Sequence, residues 1–214
     1  MEERTHGLIL RTHPLTETST IVNWLTPDLG RIATVAKGAR RPKSPFRGKL
    51  DLFYEGDFSF ARSAKSELHA LREVVLTETH AALRTNLGWI QQASYFSALV
   101  HQTTETETPL PHVYDLVKNA LRLVLSGPPT ALTVFAFEIR LLNELGLGPN
   151  WEDSKLSPGT RQVTHLLAGG EWAMIGRLKI SEAQERELRQ FLHGFMIYHL
   201  EKIPRSRTAA LDAE

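Results

Sequence analysis

The chain has no cysteine. Disulfides and thiolate metal sites are therefore excluded, and a thiol nucleophile is impossible. Long apolar runs are missing too, and none approaches the ~20 residues a membrane-spanning helix needs. The Met1-Glu2-Glu3 opening has neither the basic nor the apolar region of a secretory signal. The expectation is a cytoplasmic protein with no membrane partner. Net charge is also scarce: 25 Lys and Arg stand against 24 Asp and Glu, so the chain as a whole gives no electrostatic argument for a polyanionic partner. Catalytic patterns are absent as well. There is no HExxH pair and no G-x-S-x-G elbow, and His193 and His199 are spaced too far apart to share a ligand face. Glu105 and Glu107 fall in a Thr-rich polar connection where paired carboxylates face water, and Glu152 and Asp153 likewise read as solvated. No catalytic residue, metal ligand or cofactor is assigned.

What is present divides by period. The first 80 residues read as short strands: Gly7 to Arg11, Thr18 to Leu25, Arg31 to Ala36, Leu52 to Phe60 and Leu68 to Leu76. In the fourth, Leu52, Tyr54, Phe58 and Phe60 share one face, and Gly56 inside the pattern marks a bulge or sharp bend. Pro27-Asp28-Leu29-Gly30 is turn chemistry. Strands this short, with no room for crossover helices, predict a small antiparallel barrel or sandwich.

Beyond residue 80 the apolar spacing becomes helical. Trp89, Ile90, Ala93, Phe96 and Val100 form one stripe, and Val113, Leu116, Val117, Ala120, Leu121 and Val124 another. A third segment, Thr130 to Leu145, is apolar nearly all round, which marks it as central in a bundle. Residues 150–180 read as a loop-rich insertion, with Thr164 to Ala168 as a short helix inside it. Ser181 then looks like the N-cap of a last helix with Leu188, Phe191, Leu192, Phe195 and Met196 on its apolar face. The fold class is α+β. A β-barrel domain at 1–80 precedes an α-helical domain at 81–204, and 205–214 form a tail.

One local excess stands out from the neutral background. From Arg31 to Lys49 there are seven basic residues and no acidic one. Lys37, Arg40, Arg41 and Lys43 fall within the stretch VAKGARRPKS, and Arg47 and Lys49 follow it. The Gly38-to-Ser44 segment imitates a nucleotide-phosphate loop but fails as one. Pro42 stands where a Gly must precede the Lys and has no N–H to give, and Pro45 obstructs the helix that should follow. A solvated connection is the plain alternative for such a run. Against it, cations packed without interspersed carboxylates repel one another unless an anion relieves them, and the guanidinium fork suits phosphate oxygens. A small barrel with a cationic groove and aromatic platforms is a recipe for single-strand binding, and Trp24, Phe46, Phe53 and Tyr54 are the candidate platforms.

In order along the chain, G-L-I-L-R-T, T-S-T-I-V, L-G-R-I-A-T-V-A-K-G-A-R-R-P-K-S, F-E-I-R-L-L-N-E-L-G-L-G-P at 137–149, Gly169-Gly170 and Ser206-Arg207 resemble the bacterial recombination mediator RecO. The resemblance implies an N-terminal five-stranded OB-fold followed by an all-α domain. It also implies a non-enzymatic DNA repair and recombination protein of the RecF pathway, at work on the nucleoid. Such a protein binds single- and double-stranded DNA, anneals complementary strands, contacts the C-terminal tail of single-stranded DNA-binding protein, and works with RecR to load RecA recombinase. On this chain the implied DNA contacts are Lys37, Arg40, Arg41 and Lys43, with Arg47 and Lys49 as neighbours. One departure is plain. The four-cysteine zinc site that many relatives carry after the L-G-x-x-P stretch has no counterpart here, so residues 150–173 either hold their shape by packing, with Trp151 and Trp172 as the residues to supply it, or are mobile. The rival reading is a protein adaptor that grips acidic tails without touching DNA.

Overall fold

The computed structural model describes residues 2–213, and within them the chain forms two compact units. One comprises the residues up to Ala81 together with Thr104–Tyr114, and the other Ala82–Thr103 together with Asp115 onward. The sequence places a single break near residue 80. The grouping is interleaved instead, because the 104–110 segment bonds to the strands of the first unit.

That unit is a closed barrel of β1 (Glu2–Pro14), β2 (Thr20–Thr26), β3 (Gly30–Ala36), β4 (Glu55–Ala61) and β5 (Leu68–Glu78). Its strand order is β1-β2-β3-β5-β4, closed by antiparallel pairing of β1 with β4, which is the arrangement of an OB-fold. One pair, β3 with β5, runs parallel over three residue positions, Ala33 to Val35 against Leu68 to Ala70, where the sequence pattern predicts antiparallel strands throughout. Ile9, Val22, Trp24, Ile32, Phe58, Phe60, Leu71 and Val74 fill the interior. Trp24 stacks on Phe58 at 4.0 Å and donates its indole N–H to Thr34 Oγ1 at 2.9 Å, so the one polar atom of the largest core residue is satisfied. The bend expected at Gly56 is a bulge, with the β4–β5 register shifting between Glu55 and Gly56. A Cβ there would lie 2.5 Å from the Val75 carbonyl oxygen.

The fourth strand begins at Glu55, three residues later than its alternation suggests. Phe53 sits at φ 66°, in the left-handed region, which ends the loop and turns its ring into the core at 1% exposure. Beside the barrel, the 104–110 segment is tied down by the Glu107 N–H donating to the Arg31 carbonyl at 2.8 Å. Glu107 Oε1 accepts from His69 Nε2 at 2.6 Å and from Arg62 at 2.8 Å. Ser63 N–H donates to His69 Nδ1, so that nitrogen is an acceptor and the proton lies on Nε2. Glu105 and Glu107 thus belong to a strap on the barrel, and Glu107 is an ion-pair partner instead of a solvated carboxylate.

The second unit is helical. It holds α1 (Leu87–Thr103), the greater part of α2 (Pro111–Val124), α3 (Ala131–Glu144), α4 (Pro158–Gly169), the single turn α5 (Trp172–Ile175), α6 (Glu182–Leu200) and α7 (Arg207–Leu211). As its all-round apolar pattern requires, α3 is central: every residue from Leu132 to Ile139 is buried, and Phe137 stacks on Phe96 of α1 at 4.2 Å. Ser181 caps α6 through a full capping box with Gln184.

The stretch read as loop-rich at 150–180 contains α4 and α5. Ser157 is the N-cap of α4, followed by Pro158 at its first position, a start signal that outweighs the weak helix formers behind it. Residues 150–173 carry no cysteine, and packing holds this stretch. Trp151 packs on Phe191 at 5.7 Å, while the Arg140 guanidinium lies 4.1 Å over the Trp172 ring. Arg140 Nε also donates to the Leu167 carbonyl at 2.8 Å and Nη2 to that of Gly170, capping the end of α4. The residues read as a tail contain α7, whose Arg207 is 6% exposed and donates to Glu138. No described helix is long and apolar enough to cross a membrane.

Candidate nucleic-acid interface

The basic run forms the loop from Lys37 to Tyr54 that joins β3 to β4. It is folded as successive turns, with N–H groups donating back within the loop: Ala39 to Ala36, Arg41 to Gly38, Ser44 to Arg41, Arg47 to Ser44 and Lys49 to Phe46. Those amides are spent on the loop's own carbonyls, so they cannot wrap a phosphate. This is a second and independent reason, beyond Pro42, that no nucleotide loop is built here. What this loop can offer an anion is its side chains.

Three anchors hold the loop to the barrel. The Arg40 N–H donates to the Thr18 carbonyl at 3.0 Å, joining it to the β1–β2 turn. That turn is itself locked by Thr16 Oγ1, which accepts from the N–H groups of Thr18 and Ser19. Phe46 is buried at 7% exposure and plugs the core cluster. Lys49 Nζ donates to the Val74 carbonyl of β5 at 3.0 Å. Gly38 and Gly48 sit at φ 69° and 73°, the left-handed turns that let the loop fold so tightly.

Between these anchors Lys37, Arg40, Arg41, Lys43 and Arg47 are exposed. Among the described residues none of them, nor Lys49, enters an ion pair. The contrast within the same unit is direct: Arg4 pairs with Glu73, and Arg62 with Glu3 and Glu107. Arg40 and Arg47 do reach backbone carbonyls, of Thr16 at 3.4 Å and Pro42 at 3.3 Å, which orient the side chains without neutralising them. The result is a positioned patch of uncompensated positive charge. Lys49 is partly buried and committed to Val74, and so contributes more to the loop's shape than to its reach. Arg31, the first cation of the run, is removed from the patch altogether. It donates to Thr104 Oγ1 and to the Thr104 carbonyl, and burial pulls its guanidinium below its ordinary value.

The aromatic platforms divide. Trp24 and Phe53 are core residues at 0% and 1% exposure, and Phe46 is the plug, so none of the three offers a face to a base. The reason is the small barrel's need for large side chains to fill it. Tyr54 alone of the four is partly exposed, and it lines a cleft of about 330 Å³ under the loop together with Thr20, Arg40, Arg47, Leu50 and Asp51. Thr20 and Asp51 escaped the sequence reading. Asp51, two positions past the last cation, is the residue whose proximity could have flagged it.

The family model described as Recombination protein O N terminal matches residues 1–80, and that described as Recombination protein O C terminal matches residues 90–154. A protein of Rhodopirellula baltica named DNA repair protein RecO is 32% identical over 143 residues, covering 67% of this chain and 53% of its own length. Proteins of the same name from Listeria monocytogenes and Bacillus subtilis are 29% and 28% identical over 150 and 149 residues, covering 70% of this chain and 58% of theirs. The chain thus spans little more than half the length of these curated relatives.

Proposed function

This chain belongs to the Recombination protein O (RecO) family of DNA repair proteins, and from that premise we propose that it binds DNA through the loop of Lys37, Arg40, Arg41, Lys43 and Arg47, anneals complementary single strands, and acts with RecR to load RecA recombinase. The observation that carries the DNA-binding part is the exposure of five cations on an anchored loop, none of them in an ion pair among the described residues. Lys49 supports the loop from below.

The mechanism is electrostatic. Two complementary strands repel each other through their phosphates. A strand whose phosphates lie along the patch has part of its charge neutralised and releases condensed counterions, which makes binding favourable and steeply salt-dependent. Contact through phosphates leaves base edges open for pairing, so a second strand approaches a less repulsive partner. The role is non-catalytic and needs no nucleotide or metal. The acidic C-terminal tail of single-stranded DNA-binding protein is a further partner, in keeping with the family, and the setting is the cytoplasmic nucleoid.

A mobility shift of labelled single strands at low salt, paired with an annealing assay, tests this reading. Retention of the strand and acceleration of annealing by the wild type, both lost on replacing Lys37, Arg40 and Arg41 with Ala, are the expected result. An adaptor that only grips acidic protein tails would retain no DNA at any salt.

A further inference from the structure

The long helix α6 carries more apolar surface than its packing uses. Leu188, Leu192 and Met196 form its buried stripe, each at 0% exposure. Beside them, at the same helical spacing, run Phe191, Phe195 and His199, and these remain partly or fully exposed. Their rings form a row: Trp151 against Phe191 at 5.7 Å, Phe191 on Phe195 at 5.8 Å, and Phe195 against His199 at 4.3 Å. Tyr198 ends the row. Its ring meets that of His199 nearly at a right angle, with centroids 4.9 Å apart, and the residue is 81% exposed. A ring backed in this way is held in place before anything binds, so little freedom is lost when a ligand arrives.

The surroundings carry an excess of positive charge. Lys202 and Arg205, just past the helix end, are exposed with His199 and Glu201, and among the described residues neither cation enters an ion pair. Gln102 Nε2 donates to the Lys202 carbonyl at 2.6 Å, which fixes the chain where it leaves the helix. A flat ring in solvent beside unpaired cations complements a ligand that has both a π-face and negative charge, and an unpaired nucleotide has both. In the barrel, by contrast, Trp24, Phe46 and Phe53 are consumed by the core.

We propose that Tyr198, backed by His199 and Phe195, is a stacking platform for a base of unpaired DNA, with Lys202 and Arg205 meeting the neighbouring phosphates. The inference rests on the DNA-binding reading above and adds to it a contact with bases on the helical unit. Stacking of this kind is tolerant of sequence. It selects unpaired strands, because in a duplex each base face is covered by the next pair.

The test compares oligo(dT) with an abasic strand of the same length and charge by fluorescence anisotropy. The wild type is expected to bind oligo(dT) about fivefold more tightly, the lower end of what one base–aromatic stack contributes. Tyr198→Leu should bring oligo(dT) down to the abasic affinity and leave the abasic strand unaffected, whereas Tyr198→Phe, which keeps the ring, should preserve the difference. Replacing Lys37, Arg40 and Arg41 with Ala should weaken both strands. A preference for oligo(dT) that survives intact in Tyr198→Leu overturns the platform, as an α6 row built for a protein partner would give. Equal wild-type affinities for the two strands, both weakened in the triple variant, overturn the platform and leave the DNA-binding reading standing. Failure of the wild type to bind either strand overturns both.

Discussion

Arg207 grips Glu138 with two hydrogen bonds, Nε to Oε1 at 2.7 Å and Nη2 to Oε2 at 3.0 Å, with both residues almost completely out of water. Tyr95 adds a third donor to Oε1 at 2.6 Å. The carboxylate from α3 thus joins α1 and α7 at the centre of the helical unit. Burial opposes the charge on Arg207, but the Glu138 carboxylate outweighs it and holds the guanidinium above its ordinary value. Burial, followed by the same carboxylate, pushes the Tyr95 phenol well up.

Arg207→Met removes the cationic partner of Glu138 in the interior and leaves it only the Tyr95 hydroxyl. The expected loss is about 3–5 kcal/mol of stability, with α7 released. Replacing Glu138 with Leu in the same chain should recover part of that loss, because an apolar pair of similar volume escapes the desolvation penalty while the buried Tyr95 hydroxyl loses its acceptor. Thermal or denaturant unfolding of the single and double variants checks both statements.

Gly30 sits at φ 68°, and a Cβ built there would lie 1.9 Å from the Thr108 carbonyl oxygen. Gly30→Ala should therefore lift the strap from the barrel, at a cost of roughly 1–3 kcal/mol from the backbone strain alone. The most local readout is hydrogen exchange at the Glu107 amide, which donates to the Arg31 carbonyl and should lose protection before the strand amides of β1 and β2 do.

Glu187 accepts from the hydroxyls of Thr160 and Ser157, and these bonds hold its carboxyl below its ordinary value. A carboxylate with a lowered folded-state pKa contributes stability that is complete above the unfolded value and is lost as pH falls through the folded one. The start of α4 should consequently loosen on the acid side of the ordinary carboxylate range. Exchange of α4 amides against pH should show this in the wild type and show a flatter profile in Glu187→Gln.

The division into barrel and bundle was legible in the sequence because alternation and helical spacing are local signals. The N-cap at Ser181 and a bulge or bend at Gly56 were legible for the same reason. What escaped depends on partners distant in the chain. Nothing near Arg140 announces that it caps α4 through Leu167 and Gly170, and nothing near Arg31 announces Thr104. The basic loop itself could be read from charge alone. Its aromatic platforms could not, since alternation places Trp24 and Phe53 in a strand pattern without saying that the barrel interior consumes them. That Lys49 turns inward to Val74 while its five companions face solvent is likewise a product of the folded loop.

The salt dependence of single-strand binding addresses the patch most directly. If Lys37, Arg40, Arg41, Lys43 and Arg47 each meet a phosphate, log K against log salt should fall with a slope of roughly −3.5 for single strands. Replacing Lys37, Arg40 and Arg41 with Ala should weaken binding and flatten the slope to roughly −1.4. An unchanged affinity and slope in that triple variant would contradict the assignment of this loop as the DNA-binding surface.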